Sequence, residues 1–283
     1  DGNGKTITGL TVTGSDQYVG LFGHIGSGGT VKDVTLEEVK IESNNDMSAV
    51  GGVAGRSYGT LENCSVSGSV SVSGTNSIAG GVVGYQLVGS ITGCSSSARV
   101  KGVAYAGGIA GYTNGGASLT GCYATGSVSV ENNTTSAAYA GGVVGNNGSS
   151  STLKACYAWG SVTGSGSGTV YVGGVTGSND LGTLTACYHA KGTVSGPGGA
   201  TGGVAGRNFK DSMFGGRIIT ACYWGDNGQT QGIGEDQVGT GGTTKVVDGN
   251  WQNAVTQMNA ALNGPTTWRY DLGEGLPVLT QQP

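Results

Sequence analysis

Few side chains in this sequence could do chemistry, and their spacing decides which reactions are open to them. Histidine occurs twice, at His24 and His189. A zinc peptidase needs two histidines one helical turn apart with a glutamate beside them. Neither histidine is followed by Glu, so that chemistry is excluded within this segment. Cleaving a polysaccharide needs paired carboxylates, or an acidic calcium site with a base to take a proton. Between Asn63 and Gly206 the only acids are Glu131 and Asp180, with Arg99, Lys101, Lys154 and Lys191 as bases. Two acids so far apart leave little to build with. Asp33, Glu37, Glu38 and Glu42 are denser, but they alternate with Val34, Leu36 and Val39 and read as a solvated strand face. Calcium-binding Gly-Gly-x-Gly-x-Asp repeats are absent. The expectation is a chain with no catalytic residues, no metal and no cofactor, and not an enzyme.

Six cysteines, Cys64, Cys94, Cys122, Cys156, Cys187 and Cys222, make the one reactive set that recurs. No Cys-x-x-Cys pair exists to hold zinc. Their recurrence follows a repeat. Gly-Gly-(Val/Ile)-x-Gly appears at Gly51–Gly55, Gly80–Gly84, Gly107–Gly111, Gly141–Gly145, Gly173–Gly177 and Gly202–Gly206, with a degenerate copy at Val19–Gly23. Each full copy is followed by (Leu/Ile)-x-x-Cys, with Val31 and Val34 in those places after the degenerate one, and then by an alternating tail such as Cys122-Tyr-Ala-Thr-Gly-Ser-Val-Ser-Val130. With 60 Gly, 4 Pro and 11% charged residues, the composition favours short strands and turns over helix. Copies 27 to 34 residues apart with strand-only content fit one coil of a solenoid each. A propeller blade would need about 40 to 50 residues. The fold expected is all-β, a right-handed parallel β-helix of seven coils with about three short strands per coil.

Alternation in the tail puts Cys122, Ala124, Gly126, Val128 and Val130 on one face, which must point inward. All six cysteines then form one inward column, stacked about 4.8 Å apart with parallel Cβ vectors. A disulfide wants Cβ atoms about 3.8 Å apart and a near-perpendicular twist, so free, buried thiols are expected. The residue after each Cys faces outward: Ser65, Ser95, Tyr123, Tyr157, Tyr188 and Tyr223, with Trp159 beside Tyr157. A ladder of outward rings suits a glycan- or protein-binding strip, or simply stiffens the sheet. Tyr123, Tyr157, Trp159, Tyr188 and Tyr223 are the candidate ligand-binding residues. Both parities of the Gly-Gly-Val-x-Gly segment are apolar, so its facing stays open. The glycines themselves are expected to turn coil corners with positive φ, or to leave room where the coil is narrow.

These landmarks resemble the GLUG repeat of bacterial surface proteins, most closely in Gly107–Gly111 with Gly121-Cys-Tyr-Ala-Thr-Gly126, and in Gly141–Gly145 with Cys156-Tyr-Ala-Trp-Gly160. The resemblance covers roughly residues 1–225 and implies a secreted or surface-anchored, adhesin-like module. Such repeats also accompany immunoglobulin-A-cleaving metallopeptidases, so an accessory segment of a larger surface peptidase is the alternative, with a polysaccharide-cleaving β-helix behind it. The resemblance transfers no catalytic residues. The implied partner is a host or microbial surface glycan or protein.

From about Gly225 the repeat fades. Asn250–Asn263 carries a helical pattern with Trp251, Val255, Met258 and Leu262 on one face. Asp248 or Asn250 can cap it, and Gly264-Pro265 can stop it. The expected division is a solenoid over 1–225 and a subdomain over 226–283 covering the last coil, with extended segments at Trp268–Asp271 and Leu276–Leu279. A net charge of −4 without a basic stripe argues against nucleic acid. No apolar run is long enough to span a membrane. Starting at Asp1, the chain reads as a mature or trimmed segment, and a monomer is expected.

Overall fold

A computed structural model describes residues 1–283 except 198–199, 212–214, 217, 240, 263–266 and 283. The chain winds into a parallel β-solenoid of about seven coils. Four faces run along it, each built from register-matched strands of successive coils. One coil shows the plan: Tyr105–Gly107 on the first face, Ala110–Asn114 on the second, Ser118–Thr120 on the third, and Tyr123–Ala124 with Val128–Glu131 on the fourth. That is more segments than the three expected, and two of the repeat's landmarks coincide with corners.

The first corner is the Gly-Gly-Val motif. Gly107 ends one strand and Ala110 begins the next. Ile109 is buried between them, as is Val143 in the following coil, and the strand-opening Ala110 and Val144 are buried too. Both parities are apolar because the chain turns inside the motif and each side of the turn faces the core. The motif glycines do not have positive φ; they are required by close approach. A Cβ on Gly107 would lie 2.0 Å from the carbonyl oxygen of Ala110, and one on Gly108 would lie 2.2 Å from that of Gly142. The second corner precedes each cysteine and does need a left-handed residue. Asp33, Asn63, Gly93, Gly121, Ala155, Ala186 and Ala221 have φ between 49° and 67°. Positive φ is therefore a property of this corner rather than of the repeat's signature glycines.

Between the corners lies the core. Leu61, Ile91, Leu119, Leu153, Leu184 and Ile219 form a buried column on the third face. All six cysteines are free and buried, as alternation requires. Each thiol donates to the carbonyl two residues back, at 3.4 to 3.5 Å. Burial also holds the Cys122 and Cys187 thiols well above their usual range.

Solenoid pairing continues past residue 225. Ile233–Asp236 pairs with the second face and Thr243–Lys245 with the fourth, forming a partial eighth coil. Inside the end, the inward column Ala124, Ala158, His189, Trp224 widens from Ala158 onward. Trp224, only 5% exposed, fills the terminal core. The helix Gln252–Ala261 buries Val255 and Met258, and Asn250 Oδ1 accepts from the Gln252 N–H at 3.3 Å. The expected Gly264-Pro265 stop lies outside the described residues. A hairpin, Trp268–Leu272 with Pro277–Gln281, follows. Helix and hairpin pack against the outer side of the fourth face, not over the last coil. The boundary expected at 225 thus falls near 245, and the C-terminal segment is a flank brace.

Candidate functional site

The structure places the expected tyrosine ladder where alternation put it. Tyr123, Tyr157, Tyr188 and Tyr223 are in register on the outer side of the fourth face. Tyr123 stacks on Tyr157 at 5.1 Å, and Tyr157 on Tyr188 at 5.0 Å. Its expected openness is corrected. Only Tyr123, at 37%, is exposed; Tyr157, Tyr188 and Tyr223 are 4%, 0% and 7% exposed. Trp251, Met258, Leu262 and Tyr270 of the C-terminal segment close over them. The Tyr188 hydroxyl donates to the Pro277 carbonyl and accepts from Trp159 Nε1 at 2.9 Å. Tyr270 donates to the Ala186 carbonyl at 2.9 Å. Desolvation keeps Tyr188 and Tyr270 well above the usual phenol range. These rings are the seat of an intramolecular interface.

A second ladder, half-buried except at the buried Tyr139, lies at the Gly-Gly-Val corner. Two outward columns converge there. One is the residue two before Gly-Gly, occupied by Tyr105, Tyr139 and Tyr171 in successive coils. The other is the residue after the last motif glycine: His24, Arg56, Tyr85, Tyr112, Asn146, Ser178 and Arg207. Because the corner folds the two faces toward each other, the columns interleave into one stack. Tyr85 to Tyr112 is 5.0 Å, Tyr112 to Tyr105 is 5.2 Å, Tyr105 to Tyr139 is 5.2 Å, and Tyr139 to Tyr171 is 5.4 Å. Interplanar angles of 12° to 13° leave ring faces covered by neighbouring rings and edges free to meet solvent. Tyr85, Tyr105, Tyr112 and Tyr171 are half-buried. Desolvation by burial pushes Tyr112 and Tyr139 up to about 12, against an opposing pull of Arg207 on Tyr139, so both are neutral hydroxyls at physiological pH.

An arginine stacks at each end. Arg207 lies 4.7 Å from the Tyr171 ring centre and 4.9 Å from that of Phe209. Its Nη2 pairs with Asp180 at 2.8 Å, and its Nε donates to Ser178 Oγ at 3.2 Å. Asn146 Nδ2 holds the other Asp180 oxygen at 2.9 Å. Arg56 lies 4.7 Å from the Tyr58 ring centre, 5.4 Å from Tyr18 and 5.6 Å from Tyr85. Its Nη1 donates to the Tyr18 hydroxyl at 3.0 Å and its Nη2 to that of Tyr58. The sequence did hold a signal for this ladder, since Tyr-x-Gly-Gly recurs at 105, 139 and 171. It went unused because the facing of that segment was open.

The remaining candidates are dispersed. Glu131 pairs with Lys101 at 3.4 Å on the surface, away from the Asp180 network. His189 is fully buried, its Nε2 bonded to the Gly160 carbonyl at 2.9 Å and its Nδ1 to Asn227 Nδ2 at 3.0 Å. Among the described residues no cluster of three His, Cys, Asp or Glu could hold a metal, and no helix is long and apolar enough to cross a membrane.

The GLUG motif matches residues 48–71, which span the Gly51–Gly55 corner and the tail after Cys64. Halomucin of Haloquadratum walsbyi is 40% identical over 35% of this chain, a stretch that is 1% of halomucin. A provisionally named Gly-rich membrane protein of Evansella cellulosilytica is 39% identical over 23% of this chain and 8% of its own length. The chain therefore spans a small part of these curated relatives. A crystal structure from Bacteroides ovatus, provisionally named an immunoglobulin A1 protease, superposes with a TM-score of 0.52 at 20% identity. That match covers 98% of this chain and 75% of the other. The likeness is one of fold.

Proposed function

We propose that this chain is an extracellular, adhesin-like binding and display module without catalysis of its own. It acts as a rigid rod that meets its partner along the corner ladder. The carrying observation is the stack Tyr85, Tyr112, Tyr105, Tyr139, Tyr171, half-buried except for the buried Tyr139, running across four coils with an arginine at either end. Rings locked against one another lose little freedom on binding, and a ligand lying across coils gathers several weak contacts at once. The non-catalytic reading is supported by the state of the acids: Asp180 is held by Arg207, Asn146 and Ser178, and Glu131 by Lys101. A surface location fits the GLUG motif and the glycine-rich membrane relative. The partner is a host or microbial surface glycan or protein, and the module works as a monomer without nucleic acid. Because matched stretches are small parts of much longer relatives, a second reading is an accessory segment of a larger surface peptidase.

Glycan arrays and host-protein screens on the purified chain test the first reading. A captured ligand should be lost on combined Tyr85→Ala, Tyr105→Ala and Tyr112→Ala substitution with the rod still folded. Retained binding would move the site elsewhere, and product release from any glycan would overturn the non-enzymatic reading.

A further inference from the structure

Arg56 and Arg207 occupy the same column of the second face, and the chain treats their charges differently. Both follow the last motif glycine, both stack among aromatic rings, and both have an aromatic residue two positions on, Tyr58 and Phe209. Arg207 is neutralised by Asp180, which belongs to the preceding coil two residues beyond Ser178, the register partner of Arg207. Register places His24 beside Arg56 in the same way, and two residues beyond His24 is Gly26. A Cβ built on Gly26 would meet nothing within 4 Å. Where one arginine has a carboxylate, the other has open space.

Arg56 has no ion pair among the described residues. Its Nε is buried without a partner, and two of its five donors are used on Tyr18 and Tyr58 hydroxyls. A half-buried guanidinium without a counter-charge is costly to hold. Its planar fork is matched to oxyanions, and the tyrosine hydroxyls that accept from it can donate onward.

We propose that the Arg56 box, formed with Tyr18, Tyr58 and Tyr85, is an oxyanion site that takes a carboxylate or sulfate carried on a polysaccharide. The oxyanion occupies the space left by Gly26, as the Asp180 carboxylate occupies its counterpart beside Arg207. The polymer then runs from Tyr85 along the ring edges of the corner ladder, where phenolic hydroxyls face a hydroxyl-rich chain with both donors and acceptors. Arg207, already paired, makes no second site, so the stack is directional. This inference rests on the binding-module reading and supplies its ligand chemistry.

The test is calorimetric titration of the full chain with polygalacturonate, dextran sulfate, neutral dextran and polyglutamate. Binding to one or both acidic polysaccharides is expected, and the two arms separate carboxylate from sulfate. Arg56→Gln should weaken it by about tenfold or more, the usual worth of a charge-assisted hydrogen bond. Gly26→Asp should do the same by supplying an internal carboxylate, with the melting temperature unchanged or raised, which separates site blockade from misfolding. Asp180→Gly should unmask Arg207 and about double the number of sites. No binding to either acidic polysaccharide, or binding indifferent to both Arg56→Gln and Gly26→Asp, overturns the site. Preference for polyglutamate overturns the polysaccharide assignment. If neutral dextran or a host protein binds and resists these changes, the module reading stands while the oxyanion site falls.

Discussion

Gly121 and Gly93 occupy the same left-handed corner in neighbouring coils, at φ 67° and 63°, yet they are not equally constrained. A Cβ on Gly121 would sit 2.2 Å from the Trp268 ring, whereas on Gly93 it would meet the end of the Asn63 side chain at 2.6 Å and no Trp268 atom nearer than 3.3 Å. The left-handed conformation costs an alanine about 1–2 kcal/mol at either position. Gly121→Ala must also displace the brace, so its loss in denaturant melts should exceed that of Gly93→Ala by about 1 kcal/mol or more. Equal losses would mean that Trp268 does not rest on Gly121. Three alanines already sit at this corner, and Ala155 and Ala186 are buried in the cluster that holds Tyr270. Their methyl packing offsets the strain that glycine avoids. His189 supplies the pH-sensitive residue of the core. Desolvation lowers it from 6.5 to about 4, against a weaker opposing effect from the Gly160 carbonyl. The folded state therefore takes up its proton at lower pH than the unfolded chain. Stability is full above about 6.5 and is lost as pH falls from there toward 4. A shift of that size corresponds to about 3 kcal/mol. Melting temperature should drop over that window, and His189→Gln should flatten the drop; an unchanged slope would assign it to other groups.

Among the elements, some were legible and some were not, for separable reasons. Landmark order set the coils, and strict alternation from Cys122 to Val130 set the inward face, because period-two patterning with one buried side permits one register. Gly-Gly-Val-x-Gly was opaque because a corner buried on both flanks has no alternation to read. The eighth coil was missed because Gly232-Ile233-Gly234 lacks a glycine of the motif and no Cys follows it. Alternation placed Tyr157 and Tyr188 away from the core, but it says nothing about a segment arriving from about a hundred residues downstream. That segment is the element to remove. Ending the chain at Lys245 keeps the Trp224 plug and every solenoid coil while uncovering Tyr157, Tyr188 and Tyr223. The truncated chain should retain its β-sheet circular dichroism, bind a hydrophobic dye and self-associate in light scattering, as exposed aromatic patches do. A dye-silent monomer would mean that the segment is a separately folded appendage. Loss of the sheet signal would make the brace part of the folding unit.

Taken whole, the molecule is a one-dimensional stack with unequal ends, and its dynamics should follow from that. In a solenoid each coil is stabilised by its own contacts and by its neighbours, so an end coil lacks one neighbour. At the C-terminal end the deficit is offset twice, by Trp224 inside and by the flank brace outside. A buried polar chain adds to this: Thr113, Asn147, Asn179 and Asn208 hydrogen-bond in succession at 2.8 to 3.1 Å and end on Asp236. The N-terminal coil has neither device. Lys5–Thr8 is exposed throughout, Phe22 is 43% exposed, and these strands have a partner on one side only. Local opening energies should therefore rise along the axis from the first coil, peak in coils four to six where ladder, brace and amide chain overlap, and fall modestly after Trp224. Hydrogen exchange on the intact chain reads this directly. Amides of residues 1–25 should exchange first and those around Leu119, Leu153 and Leu184 last. Asn179→Ala, which strips a partner from Asn147 and from Asn208, should cost about 1–3 kcal/mol and speed exchange in the coils on both sides. Uniform protection from end to end would mean that the coils open as one cooperative unit, and the stacked, additive description of the rod would have to be abandoned.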